Sequence, residues 1–179
     1  MWSVTSDQES EVCGSHSPKP RRVFAEIALY AAMLTFVSRW TAPLDKEALL
    51  APMGAMFALT GMVLLLTATA RNYATIRKLA SVHYYRTYDH ASHPPDWIER
   101  PARTFNNLLQ VPTLFYIGCL TMMILARADQ GALALAWIYV ATRAVHAVLY
   151  IAWNPLAYRF GSFIASCICL GTLWARLIF

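Results

Sequence analysis

The sequence predicts an all-α integral membrane protein, a bundle of four transmembrane helices with an extra helix at the N-terminus. Three observations predict it. Hydrophobic residues make up 58% of the 179 residues and charged residues 14%, whereas a soluble domain carries about 45–50% apolar and about 25% charged residues. Mean hydropathy is +0.40. The charges are also segregated, with none from residue 48 to 70 and none from 104 to 126. Each run exceeds the roughly 20 residues that cross a hydrocarbon core. This composition excludes a disordered, fibrous or disulfide-stapled chain and fits a water-soluble enzyme poorly. A net charge of +5 on so few charged residues suits basic loops flanking a membrane better than a nucleic-acid surface. Of Cys13, Cys119, Cys167 and Cys169, the last three lie in apolar runs, where a thiol acts as a small hydrophobe.

Taken in order, residues 1–22 are polar, carry Pro18 and Pro20, and read as a disordered cytoplasmic tail. No basic stretch followed by an apolar core marks a signal peptide, so the next apolar segment should be retained. That segment, 23–40, forms the extra helix. It contains Glu26, Thr35, Ser38 and Arg39, so it either crosses as a fifth span or lies in the interface. Residues 48–179 form the membrane domain. Its third and fourth spans run Gly131 to Trp153 and Phe160 to Phe179, and Asn154-Pro155 breaks the chain between them. The connection is short, which makes these spans antiparallel neighbours. Lys and Arg concentrate before residue 23, in the loop 72–102 and at Arg159, which places the N-terminus and that loop in the cytoplasm. Gly54, Ala58 and Gly61 recur at helical spacing, as do Gly161, Ala165 and Cys169; both stripes read as packing faces.

In a bilayer the polar residues carry the information. Arg143 falls mid-span, where insertion scales charge about 2.5–3.5 kcal/mol. His146 and Tyr150 follow at i+3 and i+7, and Tyr139 precedes at i−4, so all four share one face. Arg103, Asn107 and Gln110 make a second stripe at i, i+4 and i+7. Arg143 is either a structural cation neutralised by neighbouring helices or a site for an anionic ligand. Were the two stripes to face each other, they would form a cationic, hydrogen-bonding pocket open to the cytoplasm, suited to a small anionic, peptide-like molecule. His83, His90 and His93 match no compact zinc spacing, and no metal is expected.

The stretch Arg103-Thr-Phe-Asn-Asn-Leu-Leu-Gln-Val-Pro-Thr-Leu-Phe-Tyr116 resembles the second-helix signature of the MAPEG superfamily, the membrane-associated proteins in eicosanoid and glutathione metabolism. Arg143-Ala-Val-His-Ala-Val-Leu-Tyr150, followed by Asn154 and Arg159-Phe160, resembles its third-helix pattern, Arg-x-x-His-x-x-x-Tyr, in the form seen in bacterial members. The resemblance implies a left-handed four-helix bundle in a bacterial inner membrane, assembled as a homotrimer. It implies glutathione bound between subunits near the cytoplasmic side. Arg103, Asn107, Gln110, Arg143, His146 and Tyr150 would be its contacts, with Arg71 a further candidate and Arg159 the cation that stabilises a thiolate. The implied activity is conjugation or reduction of hydrophobic electrophiles or peroxides drawn from the bilayer. Two features depart from the family pattern: Gln110 stands where members carry an acid, and segment 23–40 is additional. They motivate the alternative of a non-catalytic protein on the same scaffold, either a lipid-binding trimer or an accessory subunit beside a partner membrane protein.

Overall fold

The computed structural model describes residues 44–79, 95–153 and 156–179, with isolated positions 28, 32, 34, 36 and 42. A 3-10 turn over Lys46–Leu49 leads into α1 (Leu50–Ile76), followed by α2 (Asp96–Ile124), α3 (Gln130–Ala152) and α4 (Leu156–Ile178). All four helices are long and apolar enough to cross a membrane. The tail 1–22 and the middle of the basic loop, including His83, His90 and His93, lie outside the described residues. So does most of segment 23–40. Ala28, Ala32, Leu34 and Phe36 within it are helical, and Leu34 is fully buried against the bundle core.

Helix α1 runs past Arg71, and α2 starts before Arg103. A charge ends the stretch that sits in hydrocarbon without ending the helix, so both helices project beyond the charge-free runs. Threonine hydroxyls in the spans bond back to carbonyls four residues earlier, as at Thr60, Thr67, Thr113, Thr121 and Thr172. Each hydroxyl is thereby satisfied without water. Pro112 inside α2 has no N–H for the Leu108 carbonyl.

Helices α3 and α4 pack most extensively on each other, and α1 packs chiefly on α2. Helices α2 and α3 make up the middle of the bundle. Its core includes Met56, Leu108, Phe115, Met122, Leu135 and Leu173. Phe115 of α2 stacks on Tyr139 of α3 at 4.6 Å with an interplanar angle of 18°. The close approach of α2 to α4 occurs at Gly118, where a methyl would stand 3.1 Å from Leu173 Cδ2 and 3.2 Å from Trp174 Nε1. Trp174 donates its indole N–H to the Leu114 carbonyl at 3.2 Å. Within the subunit the small-residue stripes are largely open. Gly54, Gly61 and Gly161 have nothing near the position of an added methyl, so within the subunit they pack on no neighbour. Of these stripe residues, Cys169 is the fully buried one, and its thiol donates to the Leu135 carbonyl.

The two ends of the bundle differ. At the end of α2 and start of α3, Asp129 caps α3 by accepting from the Ala132 amide at 2.8 Å. The same carboxylate takes a two-pronged ion pair from Arg176 of α4. Arg127 donates to the Leu177 carbonyl at 2.6 Å, and the Gln130 amide donates to the Ala42 carbonyl at 3.1 Å. This end is closed by its own side chains. The polar residues of interest lie toward the other.

Candidate functional site

Arg143 is fully buried, and so is the ring of Tyr139 one turn earlier on α3. Its Nη1 donates to Asn107 Oδ1 of α2 at 2.9 Å and its Nε to the Tyr139 hydroxyl at 3.2 Å. Its guanidinium carbon lies 5.6 Å from the centre of the Tyr139 ring and 5.2 Å from that of Phe163 on α4. Three helices thus converge on one cation. Arg143 stands nine residues before the end of α3 at Ala152. At 1.5 Å per residue, that is about 13 Å into the helix from this end of the bundle. The charge is therefore held at hydrocarbon depth by an amide, a phenol and two aromatic faces, and among the described residues no carboxylate forms an ion pair with it. Among the described residues its Nη2 has no hydrogen-bond partner.

His146 is 3% exposed. Its Nδ1 lies 3.0 Å from the Arg159 carbonyl and 3.2 Å from the Ser162 hydroxyl. A carbonyl only accepts, so Nδ1 carries the hydrogen, and in the neutral ring Nε2 is a bare acceptor. That Nε2 is buried and has no hydrogen-bond partner among the described residues. One turn apart on α3, then, a buried guanidinium nitrogen and a buried imidazole nitrogen each lack a hydrogen-bond partner among the described residues. Buried polar groups in folded proteins are nearly always paired, so such atoms call for an account. Tyr150, half-buried, meets the His146 ring edge-on at 6.1 Å. The Arg159 guanidinium lies 4.4 Å from the Tyr150 ring centre. Arg159, at the start of α4, therefore holds His146 through its backbone and covers Tyr150 with its side chain.

The second stripe divides. Asn107 is half-buried and joined to Arg143, whereas Arg103 and Gln110 are exposed on the outside of the subunit. Arg103 pairs with Asp96 at 3.2 Å, and Arg100 pairs with the same carboxylate at 2.7 Å. Arg71 is half-buried near the end of α1, one turn before Ala74, which packs on Ile98 of α2. Of the seven residues proposed as ligand contacts, the structure draws Asn107, Arg143, His146 and Tyr150 into one connected group with Arg159, and leaves Arg103 and Gln110 facing outward. Sequence reading missed Ser162 and Phe163. Ser162 is signalled by its i+3 spacing from Arg159, but Phe163 has no mark that separates it from a lipid-facing aromatic. It also missed Glu99, a buried acid whose Oε1 lacks a hydrogen-bond partner among the described residues.

The fold and this centre define a polytopic helical membrane protein with a buried cation toward one end of its bundle. Residues 49–179 match the model of the MAPEG family, and the chain belongs to that family. No curated protein and no solved structure matches it.

Proposed function

We propose that the chain binds glutathione or a closely similar anionic thiol peptide at this end of the bundle, in a homotrimer, and uses it to conjugate or reduce hydrophobic electrophiles. The observation that carries the reading is the pair of buried atoms, Arg143 Nη2 and His146 Nε2, that have no hydrogen-bond partner among the described residues. The donor set fits a peptide with carboxylates. Arg143 and Arg159 offer charge-assisted donors, while His146 and Gln110 offer acceptors.

The exposed residues of α2 support an oligomer. Gln110 falls at the middle of a 29-residue helix, with its amide on the surface of the subunit. Facing lipid there, an unpaired amide costs at least about 1–3 kcal/mol. A neighbouring subunit carrying the rest of the ligand site removes that cost.

The chemistry assigned to the residues is simple. A fixed guanidinium lowers the pKa of a nearby thiol and raises the thiolate fraction at neutral pH. Arg159 suits that role, because it is partly exposed and braced on Tyr150. The thiolate sulfur then attacks the electrophilic carbon, and the displaced group leaves with the electron pair of the broken bond. Arg143 and Asn107 position the peptide portion.

The non-catalytic alternative has its own support. Arg103 is already paired with Asp96, and the neutral Gln110 cannot form an ion pair with a ligand ammonium. Turnover separates the two readings. Purified protein incubated with glutathione and chlorodinitrobenzene is expected to release chloride and form the thioether, and Arg159→Gln to cut that rate by at least about tenfold. Saturable glutathione binding without turnover would support the alternative.

A further inference from the structure

The far end of α1 stops in an unusual way. The Leu79 amide donates to the Ala74 carbonyl at 2.8 Å and the Lys78 amide to the Thr75 carbonyl at 3.1 Å. This closure requires a left-handed residue at its turn, a place usually taken by Gly. Here it is Lys78, with φ of 57°. Beside it, the Arg77 guanidinium lies 5.6 Å from the centre of the Tyr73 ring, and Tyr73 lies 6.1 Å from Trp97 at the start of α2. Tyr73 is 48% exposed and Trp97 47%. Among the described residues, neither Arg77 nor Lys78 forms an ion pair.

A helix C-terminus alone attracts cations, so the two charges by themselves identify nothing. Two further observations point to a ligand. Tyr and Trp exposed together at the end of a span sit where a bilayer changes from hydrocarbon to headgroup. The bundle is also electrically lopsided. Among the described residues, this end carries Arg71, Arg77, Lys78, Arg100, Arg103 and Arg159 against Asp96 and Glu99. The other end carries Lys46, Arg127 and Arg176 against Asp45, Glu47 and Asp129.

We infer that Tyr73, Arg77, Lys78 and Trp97 form a docking site for the headgroup of an anionic phospholipid. The two rings lie along the glycerol and upper acyl region. The Arg77 guanidinium, held near the Tyr73 ring, has N–H edges for a phosphate, which a guanidinium can bind in two-pronged fashion. Lys78 adds a second cation at the same height. The site is separate from the Arg143 centre and does not depend on the proposed thiol chemistry.

Native mass spectrometry of the purified protein with equal amounts of phosphatidylglycerol and phosphatidylcholine tests this. The wild type is expected to retain phosphatidylglycerol preferentially. Each cation near an anionic headgroup is worth about fivefold in binding. Arg77→Gln and Lys78→Gly should each lower the preference by about that factor, and the double variant by about 25-fold. Lys78→Gly is the informative change, because glycine suits the left-handed turn better than lysine and the helix end stays formed. Lys46→Gln at the opposite end should leave the preference unchanged. Equal retention of the two lipids by the wild type, or an undiminished preference in the double variant, would overturn the inference.

Discussion

Asn107 sets the state of Arg143. Its carbonyl oxygen accepts from Arg143 Nη1, and among the described residues no carboxylate forms an ion pair with that guanidinium. A hydrogen bond to a charged group contributes about 1.5–3 kcal/mol. Asn107→Ala should therefore lower stability by about that amount, read as a fall in melting temperature in detergent. Tyr139→Phe removes only the phenol from Nε and keeps the stack on Phe115, so it should cost less than Asn107→Ala. The residue pattern told in advance that Arg143, His146 and Tyr150 share a face. It also placed Arg103, Asn107 and Gln110 together, but the structure separates them. On an α-helix these three span about 60° of arc. The buried side of α2, marked by Thr104, Leu108 and Phe115, ends between Asn107 and the other two. Periodicity shows which residues are co-facial. The neighbouring helix decides where the buried arc stops, and no single-helix pattern contains that information.

At the scale of elements, the four spans were legible because hydrocarbon tolerates almost no charge. Their true ends were not, because helices continue into the headgroup region, where charge is welcome. Which small residues mediate packing was also hidden. Gly118 has the tight contact, while the more conspicuous Gly54/Gly61 pair has none inside the subunit. Accordingly, Gly118→Ala should need small shifts of both the Leu173 and Trp174 side chains. Gly118→Leu should force α2 from α4 and cost about 1–3 kcal/mol, measured by chemical denaturation in mixed micelles. The closed end makes a second prediction. Asp129 both caps α3 and holds Arg176. Asp129→Ala should destabilise by at least about 1 kcal/mol through the lost cap alone, and Arg176→Gln should cost less.

For the whole molecule, the charge difference between the two ends and the outward polar face of α2 describe a surface adapted to two different surroundings. The proposed trimer gives Gly54 and Gly61 a use that the single subunit does not. If a second copy covers that face of α1, Gly54→Leu with Gly61→Leu should shift the purified protein to monomers in analytical ultracentrifugation, with little change in helix content. A lipid-facing stripe would leave the sedimentation unchanged. Assembly was beyond reach of the residue pattern, because a face buried by lipid and a face buried by another copy carry the same apolar signature.

The group around Arg143 is proposed to serve a glutathione-like ligand. Isothermal titration of the purified protein in nanodiscs with glutathione tests it most directly, alongside Arg143→Lys and Asn107→Ser variants checked for folding by circular dichroism. Saturable binding in the millimolar range or tighter is expected for the wild type, with affinity weakened by at least about tenfold in both folded variants. No saturable binding by the wild type, or equal affinity in all three proteins, would contradict it.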